Sequence, residues 1–134
     1  MKFIPTTKEG ETENGIVSRF IHPGGFYFGG SNCQIHTLLG SCIAITLWHS
    51  SLQIGGMCHF VFPGRRSPKG VIRSDSKLDG RYSDAAMALF EEAAARRGTM
   101  LNEYEAKVFG GSNMLPCSRL QESQQIGKRN TEAA

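Results

Sequence analysis

Cys42-Ile43-Ala44-Ile45-Thr46-Leu47-Trp48, a polar turn over His49 to Gln53, then Ile54-Gly55-Gly56-Met57-Cys58-His59-Phe60-Val61-Phe62 before Pro63-Gly64, reads as two strands joined in a hairpin. The first strand is rich in β-branched residues and is entered from a Gly40-Ser41 loop. A two-residue side-chain period puts Met57, His59 and Val61 on one face of the second strand and Cys58, Phe60 and Phe62 on the other. Antiparallel pairing brings Cys42 towards the far end of the second strand, and with it the candidate pair Cys42 and His59.

That pair has a chemical rationale. The thiolate, not the thiol, is the nucleophile, and an imidazole within reach can take the proton. Attack on an amide carbonyl creates an oxyanion that needs fixed N–H donors, which Gly-rich backbone such as that around Gly40 and Ser41 supplies. The structural alternative is a buried core cysteine beside a hydrogen-bonded histidine, since both residue types often serve that way.

Composition bounds the alternatives. At 134 residues the chain fits one domain, 1–134, and 40% apolar with 20% charged residues supports a packed core. The net charge is +3 and the basic residues are scattered, with local pairs only at Arg65-Arg66 and Arg96-Arg97, which argues against nucleic acid as the main partner. No stretch has the apolar length of a membrane span or the core of a signal peptide, so a cytosolic protein is expected. The four cysteines, 33, 42, 58 and 117, lack C-x-x-C spacing, which predicts free thiols and no zinc site. Among them only Cys42 combines a Gly-Ser entry with a candidate His partner. Cys33 falls in a polar loop, Cys58 on the face away from His59, and Cys117 in a tail segment.

The flanks read as follows. Residues 1–15 are polar and lack a period, which predicts a loose N-terminal arm. Residues 16–20 suit a short strand or a helical turn. The Gly-rich run 24–32 lacks the following Lys-Ser/Thr helix of a phosphate-binding loop. Residues 34–38 suit a strand. The polar connection 64–81 is either a lid or receptor-facing loop or simply solvated. Ser83 to Arg97 predicts a helix capped by Ser83, with a stripe of Ala86, Leu89, Phe90 and Ala93, Glu91 and Glu92 solvated, and a stop at Gly98. Tyr104 to Phe109 alternates as a strand, followed by a Gly110-Gly111-Ser112-Asn113 turn.

Five segments in one order carry a family resemblance: Thr37-Leu38-Leu39-Gly40-Ser41-Cys42; Ile54-Gly55-Gly56-Met57-Cys58-His59 with Pro63; Arg81-Tyr82-Ser83-Asp84-Ala85-Ala86-Met87; Glu105-Ala106-Lys107-Val108-Phe109-Gly110-Gly111-Ser112-Asn113-Met114; and Ile126-Gly127-Lys128-Arg129-Asn130. Together they resemble the CheD-type chemoreceptor glutamine deamidases. The resemblance implies Cys42 as nucleophile, His59 as catalytic base and Thr37, with His36 in the adjoining place, as the residue that orients the imidazole. It implies an α+β fold, a layered α/β/β arrangement of two packed β-sheets with flanking helices. The family continues past the Arg-Asn segment, so a shortened C-terminus with an open sheet edge is expected here.

The implied activity is that of a protein-glutamine glutaminase. It converts receptor glutamines to glutamates through a thioester on Cys42, with no metal or organic cofactor, and the same chemistry would cleave a glutamate methyl ester. Chemotaxis receptors are the implied substrates and a CheC-type phosphatase a further partner. Two other readings stand beside it: a non-catalytic chemotaxis module that docks on receptor or phosphatase, and a cysteine esterase or amidase acting on a small molecule.

Overall fold

In the computed structural model, which describes residues 9–11, 15–64, 78–112 and 126–134, the hairpin is the centre of the larger of two sheets. Its strands, β5 (Ile43–His49) and β6 (Ile54–Phe60), pair antiparallel with Ile43 opposite Phe60, Ala44 opposite His59 and Ile45 opposite Cys58. The first strand keeps its expected length but is shifted by one residue, so that Cys42 stands just ahead of β5, and the second ends two residues early, at Phe60. The turn is closed by Gln53 in a left-handed conformation (φ 53°), with its side-chain amide donating to the Ser50 carbonyl at 2.6 Å.

The sheet is completed by β3 (Phe26–Gly30) beside β6 and β7 (Glu105–Gly110) beside β5, in the order β3-β6-β5-β7. The β3 strand lay hidden in the Gly-rich run 24–32, where glycines mask the alternation. Phe26 and Phe28 nevertheless share a face and pack on the core. That core is one face of the sheet (Ile43, Ile45, Leu47, Cys58, Phe60) covered by the helix α1 (Ser83–Arg96) through Ala86, Phe90 and Ala94. Phe90 meets Phe26 edge-on at 5.0 Å between ring centroids, a geometry worth about 0.5–1.5 kcal/mol beyond the buried area.

Two details of α1 differ from expectation. Tyr82, not Ser83, holds the N-cap position, and it makes no side-chain cap. Ser83 is buried, and its backbone N–H donates to the Phe62 carbonyl. The buried stripe is Ser83, Ala86, Phe90 and Ala94, rotated from the one expected, so Leu89 and Ala93 are only half-buried. The stop is as read, with Gly98 left-handed at φ 70°. Glu91 is exposed, while Glu92 pairs with Arg96 one turn on.

The smaller sheet, in the order β1-β2-β4, joins β1 (Glu9–Glu11), β2 (Val17–Phe20) and β4 (Cys33–His36). Residues 9–11 therefore depart from the loose arm expected of 1–15: they pair antiparallel with Val17–Arg19. Backbone hydrogen bonding needs no hydrophobic period, which is why composition did not reveal this strand. The sheets meet where the Arg19 guanidinium of β2 stacks on the Tyr27 ring of β3, 4.7 Å from its centroid. This is an α+β layered fold.

At the other end of the larger sheet, β7 has all six residues exposed. The alternation read over Tyr104 to Phe109 therefore marks a strand but no buried face. Only the preceding Tyr104 is in the core, where it hydrogen-bonds Thr99 at 2.8 Å between hydroxyl oxygens. A second helix, α2 (Ile126–Ala133), carries the Ile126 to Asn130 segment. The Arg65-Arg66 pair, most of the 64–81 connection, Asn113 and Cys117 lie outside the described residues.

Candidate active site

His59 is fixed before its side chain is considered. Its N–H donates to the Gly25 carbonyl at 3.1 Å, its own carbonyl accepts from Gly24 N–H at 2.7 Å, and on the other side it pairs with Ala44 of β5. A central strand position thus aims the imidazole at the face opposite α1, where the smaller sheet lies, and the residue is only 1% exposed.

The smaller sheet supplies its partner. The parallel register of β2 with β4 places Phe20 beside His36, and the Ile21 N–H continues it by donating to the His36 carbonyl at 2.8 Å. Thr37 therefore emerges next to Ile21. Its Oγ1 lies 2.7 Å from the Ile21 carbonyl oxygen and 2.8 Å from His59 Nδ1. A threonine hydroxyl has one proton, and a carbonyl can only accept. The Thr37 proton goes to Ile21, so Thr37 Oγ1 accepts from His59 Nδ1–H. That assigns the tautomer: Nε2 is the bare, proton-accepting nitrogen. Thr37, not the exposed His36, holds the ring.

Nε2 itself is buried with no hydrogen-bond partner among the described residues. A buried acceptor left unpaired costs about 1–3 kcal/mol. Burial holds the imidazole below its ordinary value of 6.5, with the nearby His22 acting in the same direction and the Ile21 carbonyl against it. The ring is accordingly a neutral base at neutral pH.

Cys42 approaches from the same face of the sheet. Alternation back from Ala44, which stands opposite His59, puts Cys42 on the His59 face, and the Gly111 N–H extends the β5–β7 ladder by donating to the Cys42 carbonyl at 2.9 Å. Gly110 next to it is left-handed, at φ 104°, and a Cβ there would run into that same carbonyl oxygen, so only glycine fits. Partial burial raises the Cys42 thiol above its ordinary value of 9.0, and a hydrogen bond from the Ser41 hydroxyl opposes the rise. Both shifts favour the neutral forms, a thiol at Cys42 and an imidazole at His59, and no hydrogen bond joins the Cys42 sulfur to His59 Nε2.

The other thiols separate from this one. Cys58 is 1% exposed on the α1 face, and burial pushes its thiol up to about 11. Cys33 is half-buried in β4 on the smaller sheet. Among the described residues no three of His, Cys, Asp and Glu converge on a group that could hold a metal ion. No helix among them is long and apolar enough to cross a membrane.

One buried polar residue beside the site had no role in the sequence reading. Asn130 of α2 is 0% exposed, and its Nδ2 donates to the carbonyls of Ser41 at 3.0 Å and Val61 at 2.7 Å. No spacing rule points to a contact made across 89 and 69 residues of chain.

Residues 67–134 match the family model described as CheD chemotactic sensory transduction. The chain is 50% identical over 96 residues to "Probable chemoreceptor glutamine deamidase CheD 3" of Dechloromonas aromatica, which covers 72% of this chain and 54% of that protein. It is 42% identical over 124 residues to "Probable chemoreceptor glutamine deamidase CheD" of Pseudomonas savastanoi pv. phaseolicola, covering 92% of this chain and 67% of that protein. A third relative, "Probable chemoreceptor glutamine deamidase CheD 1" of Leptospira interrogans, is 42% identical over 100 residues, 75% of this chain and 57% of its own. The chain therefore spans roughly half to two thirds of the length of these curated relatives. The family-model match begins after Cys42 and His59, whereas a match over 92% of the chain takes in both.

Proposed function

Because this chain belongs to the CheD family, we propose that it hydrolyses the side-chain amide of glutamine to glutamate in chemotaxis receptors, with Cys42 as nucleophile, His59 as base and Thr37 as the group that orients the base. The observation that carries this reading is the buried Nε2 of His59, without a hydrogen-bond partner among the described residues and held in its accepting tautomer by Thr37.

The steps balance without a cofactor. His59 Nε2 takes the Cys42 proton as sulfur attacks the amide carbonyl carbon, and the carbonyl oxygen becomes an oxyanion. The C–N bond breaks, and the proton on Nε2 passes to the departing nitrogen, so ammonia leaves and a thioester remains. A water then attacks the thioester, giving a proton to His59. The C–S bond breaks, glutamate is released and the sulfur is reprotonated. A glutamate methyl ester can enter the same sequence with methanol as the leaving group.

The same proposal puts the reaction in the cytoplasm, where a reducing pool keeps a lone nucleophilic thiol free. A CheC-type phosphatase as a further partner belongs to the same proposal. The test is mass spectrometry of receptor peptides after incubation with the native chain and with Cys42→Ala. A gain of about one dalton per glutamine in the native reaction alone is expected, since thioester chemistry requires the nucleophile. Equal conversion by both proteins refutes the assignment.

A second reading, a docking module without turnover, draws on β7. This edge strand is exposed along its length, with Val108 and Phe109 each 48% exposed. Open strand edges pair readily with other chains. Receptor binding with no mass change in the native reaction would favour it.

A further inference from the structure

We propose that Asn130 is a positioning residue for the nucleophile: its buried carboxamide locks the Ser41–Cys42 peptide and so sets the direction of both the Cys42 side chain and the Cys42 N–H. The proposal rests on Cys42 being the reactive thiol.

The Asn130 Nδ2 carries two protons and uses both. One goes to the carbonyl of Ser41, the residue before Cys42, and the other to the carbonyl of Val61, two residues after His59. A single planar amide therefore ties the backbone that carries the sulfur to the backbone that carries the ring. The neighbouring carbonyls are held from the same side of the sequence. Gly40 accepts from Ser112 N–H at 3.0 Å and Cys42 from Gly111 N–H at 2.9 Å. Three consecutive carbonyls, 40 to 42, are thus pinned by the β7 exit and α2.

Pinned carbonyls have a consequence for the N–H groups. The described peptides contain no cis bond, and in a trans peptide the N–H lies opposite the preceding C=O. With the Ser41 carbonyl turned onto Asn130, the Cys42 N–H is turned away from it. A fixed backbone donor on the nucleophile's own residue is what a developing oxyanion requires.

The helix that brings Asn130 is seated on the same loop. A Cβ at Gly127 would collide with the carbonyl oxygens of Gly111 and Ser112, so α2 lies as close as a helix can. Asn130 is also an incomplete structural solution. Its Oδ1 is buried with no partner among the described residues, whereas buried polar groups kept for stability alone are normally satisfied.

The test compares Asn130→Ala, Asn130→Gln and Ala133→Gly. Ala133 is exposed in the last turn of α2, so Ala133→Gly loosens the helix without reaching the loop that carries Cys42. Thermal melts, kcat and KM on receptor peptides, and the pH dependence of Cys42 alkylation by iodoacetamide are read for each. Asn130→Ala is expected to lower kcat about 100-fold with KM nearly constant, the size of effect that a misplaced reacting group or a lost oxyanion donor has elsewhere. Alkylation of Cys42 moves the opposite way, becoming faster with a midpoint closer to that of an ordinary thiol, because the loosened loop hydrates the sulfur. Ala133→Gly moves neither.

A folded Asn130→Ala with kcat within about threefold of native overturns the proposal, as do losses in Ala133→Gly that match it at equal Tm. If Asn130→Ala does not fold, Asn130→Gln, which keeps the amide but one methylene too long, carries the same comparison. A native chain inactive on receptor peptides whose Cys42 alkylation still responds to Asn130 overturns the deamidase reading and leaves Asn130 in its role.

Discussion

Thr37 Oγ1 and His59 Nδ1 stand 2.8 Å apart, and because the same hydroxyl donates to the Ile21 carbonyl, this one contact determines which imidazole nitrogen is free to take a proton. In the proposed mechanism Thr37 takes the place that a carboxylate has in many triads, with one difference. It orients the ring without adding a negative charge, so it gives no electrostatic support to the imidazolium. The base is consequently weak and neutral, which suits a buried site.

Replacing Thr37 with valine keeps the shape and removes the acceptor. We expect kcat on receptor peptides to fall about 10- to 100-fold, since the tautomer is no longer enforced and general-base catalysis is worth of this order. Thr37→Ser should retain most of the activity. Activity kept by Thr37→Val and lost in Thr37→Ser would mean that the methyl group, not the hydroxyl, matters.

The pH profile follows from the two shifts. His59 is held below 6.5 by burial, so its neutral, proton-accepting form persists as pH falls past that value. Cys42 is raised above 9.0, so it remains a thiol at neutral pH. The acid limb of kcat/KM is therefore expected below pH 6.5, and alkylation of Cys42 in the free protein should have its midpoint above pH 9. An alkylation plateau below pH 7 would reveal a resting thiolate–imidazolium pair and sink this reading. For stability the sign is the same as for a depressed group generally. The contribution of neutral His59 is complete above 6.5 and is lost as pH falls through its lower folded value.

Cys58 should behave as structure. It lies on the α1 face, away from His59, among Ile45, Phe60 and Phe90. Cys58→Ser buries a hydroxyl there and is expected to cost about 1–3 kcal/mol of stability, read as a lower denaturation midpoint. The kcat of the folded fraction should be unchanged, and a large loss of kcat with little loss of stability would reassign this thiol.

Gly110 tests the loop from the other side. Its left-handed φ of 104° and its approach to the Cys42 carbonyl leave no room for a side chain. Gly110→Ala should destabilise the chain by about 1–3 kcal/mol, the usual range for backbone strain, and lower kcat with it. A native-like melt would show that the loop can rearrange freely.

Val108 and Phe109 separate catalysis from docking. Both are half-exposed on the edge strand, so Val108→Lys should change stability by no more than about 0.5 kcal/mol. If β7 docks a receptor, KM rises while kcat holds. An unchanged KM removes β7 from substrate binding.

Much of this protein was legible before any coordinates. The hairpin, the separation of Cys58 from His59 and the helix stopped by Gly98 follow from local rules, namely alternation, turn chemistry and helix-end preferences, that act within a few residues. Those rules fail where the information is not local. The Phe26–Gly30 strand was hidden by glycines, residues 9–11 pair with β2 without a hydrophobic period to announce them, and β7 alternates without burying a face. The site itself is the clearest case. Resemblance nominated Cys42, His59 and Thr37, but which nitrogen of His59 is free depends on a threonine and a carbonyl delivered by the other sheet. The contact from Asn130 to Ser41 crosses most of the chain. Periodicity records which way a side chain faces, whereas a hydrogen bond between distant segments exists only once packing has brought its two atoms within three ångströms, and no local pattern encodes that meeting.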